Sequence, residues 1–348
     1  MSVDLSKLVV RERLELESLS GKVIAIDAYN AIYQFLSIIR QPDGTPLLDD
    51  NGNVTSHLSG LFYRTIEFVS KGIKPLFVFD GIPSLLKQKT INARMKRREE
   101  AKQEWARAMA EGRLEDARMH AQASTRINKS IVESSKQLLS LMGIPYMTAP
   151  SEGEAEASYL CRIGMAYAVV SQDYDTLLFG APVVVRNLAI SGKRKLPRKN
   201  IYINVEPEKI SLNETLRSLN ISLKQLVWIG IMLGTDFNEG IRGIGPKTAL
   251  NIVKESKSID DVIKRVTEKN GHVFDTDVHM VEDLFTKPEV EEPENDLLRS
   301  TAMPEKDSII HFMCVEHSFS EERISKFVDK LIASRAEGSQ AGISRWFK

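Results

Sequence analysis

The stretch AYAVVSQDYD, residues 166–175, runs apolar and partly β-branched for five residues and then stops at Asp173 and Asp175, set two apart. Two earlier segments share this build: KVIAID, residues 22–27, ends at Asp27, and KPLFVFD, residues 74–80, ends at Asp80. Short apolar runs separated by lengths of chain that suit helices are the pattern of strands in a mostly parallel sheet. The expected fold is α/β, a mostly parallel twisted sheet flanked by helices. In such a sheet the functional crevice lies outside the carboxyl ends of the strands, where these aspartates would gather. Extended backbone would also put Asp173 and Asp175 on one face. Any one of them alone is explained as the cap of a following helix.

Upstream of the third strand lies APSEGEAEASYL, residues 149–160, where Pro150 and Ser151 mark a helix start and Glu152, Glu154 and Glu156 follow. A single acid there complements the helix dipole. Glu152 and Glu154 beside four strand-end aspartates would repel strongly unless cations sat between them. Oxygen donors without His or Cys suit Mg²⁺ or Mn²⁺, and two such ions form a clamp on a phosphodiester.

Downstream, LKQLVWIGIMLGTDFNEGIRGIGPKTALNIV, residues 223–253, joins an apolar helix to Asp236 and a glycine-rich turn. Gly240, Gly243 and Gly245 permit a tight hairpin, and Pro246 suits a first helical turn. The backbone N–H groups of the second helix, with Lys247 beside them, can receive a phosphate. Such a helix-hairpin-helix element holds a duplex by its backbone and does not read its sequence.

Charge supports a polyanionic partner although the 348-residue chain has a formal net charge of zero. Residues 84–130 carry 12 Lys and Arg against 6 acids, and residues 176–205 carry 6 basic residues and no acid. The balancing acidity falls in residues 275–307, with 11 acids against 3 bases, where PEVEEPEND has the composition of a solvated loop. Segregation of this kind gives one polyanion-binding face. The 84–130 segment has the composition of an inserted helical arch. Its Lys87 and Arg94 lie seven apart and so share a helix face near Asp80. With few apolar residues to pin it, the insertion is expected to order on a ligand. No apolar run is long enough for a membrane span, no signal-peptide pattern opens the chain, and Cys161 and Cys314 are too isolated for a disulfide framework.

The segments IDAYNAIYQF, FVFDG, APSEGEAEAS, SQDYDTLLFG, IMLGTDFNEGIRGIGPKTA and QAGISRWF together resemble the flap endonucleases of the structure-specific 5′ nuclease family, in layout the archaeal members. The resemblance covers essentially the whole chain. It implies one nuclease domain over residues 1–335, with the arch at 84–130 and the helix-hairpin-helix region at 223–256, followed by a flexible tail at 336–348. It further implies two Mg²⁺, with Mn²⁺ as a substitute, held by Asp27, Asp80, Glu152, Glu154, Asp173, Asp175 and Asp236. Lys87 and Arg94 would act on the scissile phosphate, and Tyr33 would pack on a substrate base, although its spacing alone reads as the core face of a helix. Gly243, Gly245, Lys247 and Thr248 would hold duplex DNA, with K⁺ at the hairpin. Gln340, Ile343, Trp346 and Phe347 match the spacing of a peptide that docks on a sliding clamp of the proliferating cell nuclear antigen type. The implied activity is cutting of branched DNA near a 5′-flap junction, with 5′–3′ exonuclease action, in Okazaki fragment processing and repair. The implied setting is a monomer in the archaeal cytoplasm, or the nucleus in a eukaryote. Glu156 exceeds the family's usual pair of glutamates and has no assigned role.

Overall fold

The computed structural model describes the backbone of residues 3–189, 192–195, 202–271, 273–294, 297–298 and 302–344; side chains of 192–195, 202–204, 269–270 and 337–344 are left aside. Seven strands form one sheet: β1 (Arg11–Arg13), β2 (Val23–Asp27), β3 (Lys74–Phe79), β4 (Tyr146–Thr148), β5 (Ala168–Val170), β6 (Val183–Arg186) and β9 (Glu208–Ser211). Their order is β1-β9-β6-β5-β2-β3-β4, and β7 (Gly192–Lys195) pairs with β8 (Tyr202–Val205) in a separate ribbon. The five strands from β6 to β4 pair in parallel, and β9 is antiparallel to both β6 and β1. The expected α/β class with a mostly parallel sheet is therefore the one observed.

Side-chain alternation divides the core into two layers. Ile24, Ile26, Phe77, Phe79 and Val170 enter one, against α1 (Ala28–Ile38), α2 (Ser56–Ser70), α5 (Lys129–Leu141), α13 (Lys306–Ile310) and α14 (Glu321–Ser344). Ala25, Leu76, Val78 and Val169 enter the other. That layer meets α6 (Gly153–Arg162), α7 (Asp175–Leu178), α9 (Leu223–Leu233), α10 (Pro246–Lys254), α11 (Ile259–Asn270) and α12 (Val278–Thr286), while α8 (Leu212–Leu219) follows β9 at the edge.

The chain lays β2, β3 and β4 side by side, then returns to place β5 on the other flank of β2. This reversal between β2 and β5 is the switch point at which open parallel sheets form their crevice.

Between β3 and β4 the chain leaves the sheet as α3 (Gln88–Ala110) and α4 (Leu114–Ala123), an antiparallel hairpin. Large apolar residues are few in this insertion, as expected, and alanines make its packing contacts. Ala101, Ala108, Ala117 and Ala121 are buried at 8% exposure or less, and small side chains let α3, α4 and α1 approach closely without bulky apolar residues. A larger side chain has no room there. Ala117→Leu should overpack the hairpin by about 1–3 kcal/mol; hydrogen exchange should then accelerate in residues 88–123 and stay unchanged in β2, β3 and β5.

Candidate active site

Each strand-end carboxylate is positioned by a different backbone device. Asp27 closes β2 and caps α1, its Oδ1 accepting from the Asn30 N–H at 3.0 Å, so the capping role and a place in the crevice coexist in one residue. Asp80 follows β3 and accepts the Gly153 N–H at 2.8 Å, which ties it to the first turn of α6. Gly153 suits this close approach, since a Cβ would lie 2.8 Å from Asp80 Oδ1 and would displace that carboxylate. Glu152 is the N-cap residue of α6 and Glu154 lies in its first turn.

The reading of Asp173 and Asp175 as neighbours on an extended strand is corrected. Strand β5 ends at Val170, the backbone turns, and Asp175 is already the first residue of α7. Asp173 Oδ2 accepts from Asn30 Nδ2 at 2.9 Å, and Asp175 Oδ1 accepts from the Val3 N–H at 3.0 Å. The Ser171 hydroxyl lies 2.9 Å from Glu154 Oε1 and 3.3 Å from Asp27 Oδ2, bridging two of the carboxylates.

Asp236 arrives from the other side, on the loop after α9. Buried Asn238 builds that loop: its Nδ2 donates to the Ile231 carbonyl at 2.8 Å and its Oδ1 accepts from Thr235 Oγ1 at 2.8 Å. Gly240 backs it closely, with no space for a Cβ beside the Leu233 carbonyl. Two arch cations meet these acids. Lys87 Nζ pairs with Glu152 and lies 3.7 Å from Asp236 Oδ2, while Arg94 pairs with Asp236 Oδ1 at 2.5 Å.

The electrostatics follow from this crowding. Burial, then the charges of Asp80 and Asp173, pushes Asp27 up to about 8. Burial, then Asp236 and Asp173, does the same to Asp175. Asp80 rises to about 6, again chiefly by burial, and Glu154 is held well above its usual range by burial and by Asp173, Asp27 and Asp175. Asp236 goes the other way, because Arg94 and Lys87 outweigh its burial. Lys87 is raised: burial opposes its charge, and Glu152, Asp80 and Asp236 override that. Among the described residues no three carboxylates close on one point as a finished coordination shell. Each acid is turned instead toward an N–H, a hydroxyl or an arch cation. Glu152 Oε1 nevertheless stays buried without a hydrogen-bond partner, a donor atom suited to a hard cation.

Tyr33 is half-buried on α1 and its position falls within the electrostatic reach of Arg40 and Arg98. These two border a cavity of about 570 Å³ between the arch and α1, lined also by Leu36, Met95, Trp105 and Arg126. Tyr33 is thus not a pure core residue, contrary to its spacing. In the hairpin, Gly243 takes φ +85°, Gly245 caps α10 and Pro246 opens it. A Cβ at Gly243 or Gly245 would meet open space, so this turn faces outward with Lys247 and Thr248 in the first turn behind it. Glu156 belongs elsewhere: it is fully buried and its Oε2 accepts the Glu291 N–H at 2.9 Å, tethering the acidic loop, whose Glu289, Glu291, Glu292 and Glu294 are exposed as its solvated composition implies. Side chains of the basic run Lys193, Arg194, Lys195, Arg198 and Lys199 lie outside those described, as do Gln340 and Ile343, although the α14 backbone runs to Ser344. Trp346 and Phe347 lie outside the described residues altogether.

Residues 4–101 match the XPG N-terminal domain and residues 143–236 the XPG I-region. Flap endonuclease 1 of Pyrococcus furiosus is 48% identical over 349 residues, covering all of both chains, and that of Methanococcoides burtonii is 47% identical over 347 residues, again covering all of both. Among solved structures, flap endonuclease-1 from Methanococcus jannaschii superposes with a TM-score of 0.73 at 40% identity, covering 96% of this chain and 99% of that one. The catalytic core of Rad2 in complex with DNA substrate gives 0.66 at 25% identity, covering 94% and 97%.

The chain belongs to the flap endonuclease family of structure-specific 5′ nucleases. Sequence reasoning passed over Asn30 and Ser171, polar residues within or at the end of apolar patterns, the signal that could have found them, and over Asn238 and Arg40, which stand in loops and carry no such signal. Among the described residues no helix is long and apolar enough to cross a membrane.

The raised carboxyls have a consequence for pH. Their folded values exceed the unfolded one of about 4, so their contribution is fully present below about pH 4 and is lost as pH rises through their folded values, between about 6 and 8. In EDTA, Tm should fall as pH is raised across that window, Asp27→Asn should flatten the slope, and added Mg²⁺ should raise Tm more at the alkaline end. Differential scanning calorimetry at several pH values reads all three.

Proposed function

We propose that this flap endonuclease hydrolyses a DNA phosphodiester near a 5′-flap junction, with two Mg²⁺ held by Asp27, Asp80, Glu152, Glu154, Asp173, Asp175 and Asp236. The observation that carries this reading is the meeting of Lys87 and Arg94 from the arch with Glu152 and Asp236. Cations placed there are poised for a phosphate once the acids are otherwise neutralised. The orphaned Glu152 oxygen and the raised Asp27, Asp80, Glu154 and Asp175 fit an oxygen-only cation site. When bound, the ions supply a water of lowered pKa and neutralise charge on both attacking and leaving oxygens. Mn²⁺ satisfies the same donor set.

The chain's own groups do the rest. Lys87 and Arg94 donate to the non-bridging oxygens where negative charge grows. Tyr33 offers a ring to the base at the cut. Gly243 and Gly245 let a phosphate approach the N–H groups of α10, and Lys247 and Thr248 add a charge and a hydroxyl; the same hairpin would take K⁺. The cavity beneath the arch, lined by Arg40, Arg98 and Arg126, is electropositive on the side a displaced strand would use. Gln340, Ile343, Trp346 and Phe347 would dock on a sliding clamp through one aliphatic and two aromatic anchors, which fits a monomer working in Okazaki fragment processing and repair, with 5′–3′ exonuclease action on nicks. An archaeal cytoplasm is the setting that accords with the relatives named above.

Cleavage of an end-labelled 5′-flap duplex, beside its 3′-flap and blunt counterparts, with Mg²⁺ or EDTA, tests the reading. A metal-dependent cut at the 5′-flap junction is expected. Asp173→Ala and Lys87→Ala should each keep flap-DNA affinity in EDTA and lose roughly 100-fold or more in single-turnover rate; loss of affinity in a folded Asp173→Ala protein would contradict the assignment. Separately, Lys247→Ala should weaken duplex binding at raised salt and lower the slope of log K against log salt by about 1, as measured by anisotropy titration.

A further inference from the structure

Asn30 lies in the first turn of α1, three residues past Asp27, and its polar atoms span the gap between β2 and β5. Its backbone N–H donates to Asp27 Oδ1 at 3.0 Å and its Nδ2 donates to Asp173 Oδ2 at 2.9 Å. Its Oδ1 accepts from the Gln172 N–H at 3.3 Å and from Gln34 Nε2 one helical turn on. Two donors converge on Oδ1, so the amide has one orientation that satisfies its surroundings, and that orientation aims Nδ2 at Asp173. One residue thereby ties together carboxylates that are 146 positions apart in the chain and sit on either side of the switch point.

Asp173 needs such a tie. It carries no ion pair among the described contacts, it sits on a turn instead of a strand, and the charges of Asp27, Glu154 and Asp175 act against it. Left alone, that side chain would rotate toward solvent. A neutral donor restrains one oxygen without cancelling the charge, and leaves the other oxygen to a ligand. Lys87 and Arg94 cannot do this for Glu152 and Asp236, because they neutralise the acids they hold.

We propose that Asn30 is a positioning residue: it fixes the Asp173 carboxylate facing the other acids, and through it sets cation affinity and cleavage rate. This rests on Asp173 belonging to a cation-binding, phosphodiester-cutting site. Hydrogen bonds from outside a coordination shell to a ligating group typically matter 10–100-fold in affinity or activity.

The test uses the full-length protein and Mn²⁺ as probe, with free Mn²⁺ followed by electron paramagnetic resonance in the absence of DNA. Asn30→Leu is nearly isosteric and has no donor. It should bind Mn²⁺ about 10–100-fold more weakly, keep wild-type flap-DNA affinity in EDTA, and lose single-turnover rate at low Mn²⁺ in a way that high Mn²⁺ restores. Should Asn30→Leu not fold, Asn30→Ser, too short to reach Asp173, should give the same pattern. Wild-type Mn²⁺ affinity in a folded variant, or a rate loss that high Mn²⁺ leaves uncorrected, would overturn the assignment. A wild-type protein that neither binds Mn²⁺ nor cuts would instead overturn the reading of the site, so the two failures are distinguishable.

Discussion

Mutual repulsion among buried carboxylates is the constraint around which this molecule is arranged. Seven acids, from the end of β2, the residue after β3, the start of α6, the turn after β5, the start of α7 and the loop after α9, share one end of the sheet, and each is given a specific hydrogen-bond or cationic partner. N–H groups restrain Asp27, Asp80, Asp173 and Asp175, a hydroxyl serves Glu154, and arch cations serve Glu152 and Asp236. Backbone donors come at no cost in side-chain entropy, since helix starts would leave them unpaired anyway. The fold thus uses the free N-terminal amides of α1 and α6 to hold charges that would otherwise push the strands apart.

Arch and site are consequently parts of one electrostatic unit. Lys87, Lys89 and Arg94 reach Glu152, Asp275 and Asp236 respectively, and Asp275 in turn accepts the Glu239 N–H at 3.1 Å. The arch base is therefore wired both to the acids and to the loop that leads into the hairpin. Any cation or phosphate entering the crevice would compete for the same partners.

Much of this was legible in the sequence because apolar runs end where acids begin. Strands β2, β3 and β5, with Asp27, Asp80, Asp173, Asp175 and the glycine turn before α10, are all marked by abrupt changes of polarity. The relation between Asp173 and Asp175 was misread because nothing in SQDYD marks where extended backbone gives way to a turn. The pinning of the arch was hidden for another reason: Ala101, Ala108, Ala117 and Ala121 look like ordinary helix formers until their burial is seen. Asn30 was silent and Glu156 had no assigned role because the meaning of a single polar side chain depends on a partner far along the chain.

That distance bears on how the protein comes into being. The acids are gathered from positions 27 to 236, and β5 can pair with β2 only after β3, the arch and β4 have been laid down. Closing so wide a loop is slow, since its entropy is lost before the contacts that reward it are made. A chain emerging from the ribosome therefore holds no complete acid cluster until more than two-thirds of it has been synthesised. The site is thus a product of the finished sheet, and no contiguous segment of the chain carries all seven acids.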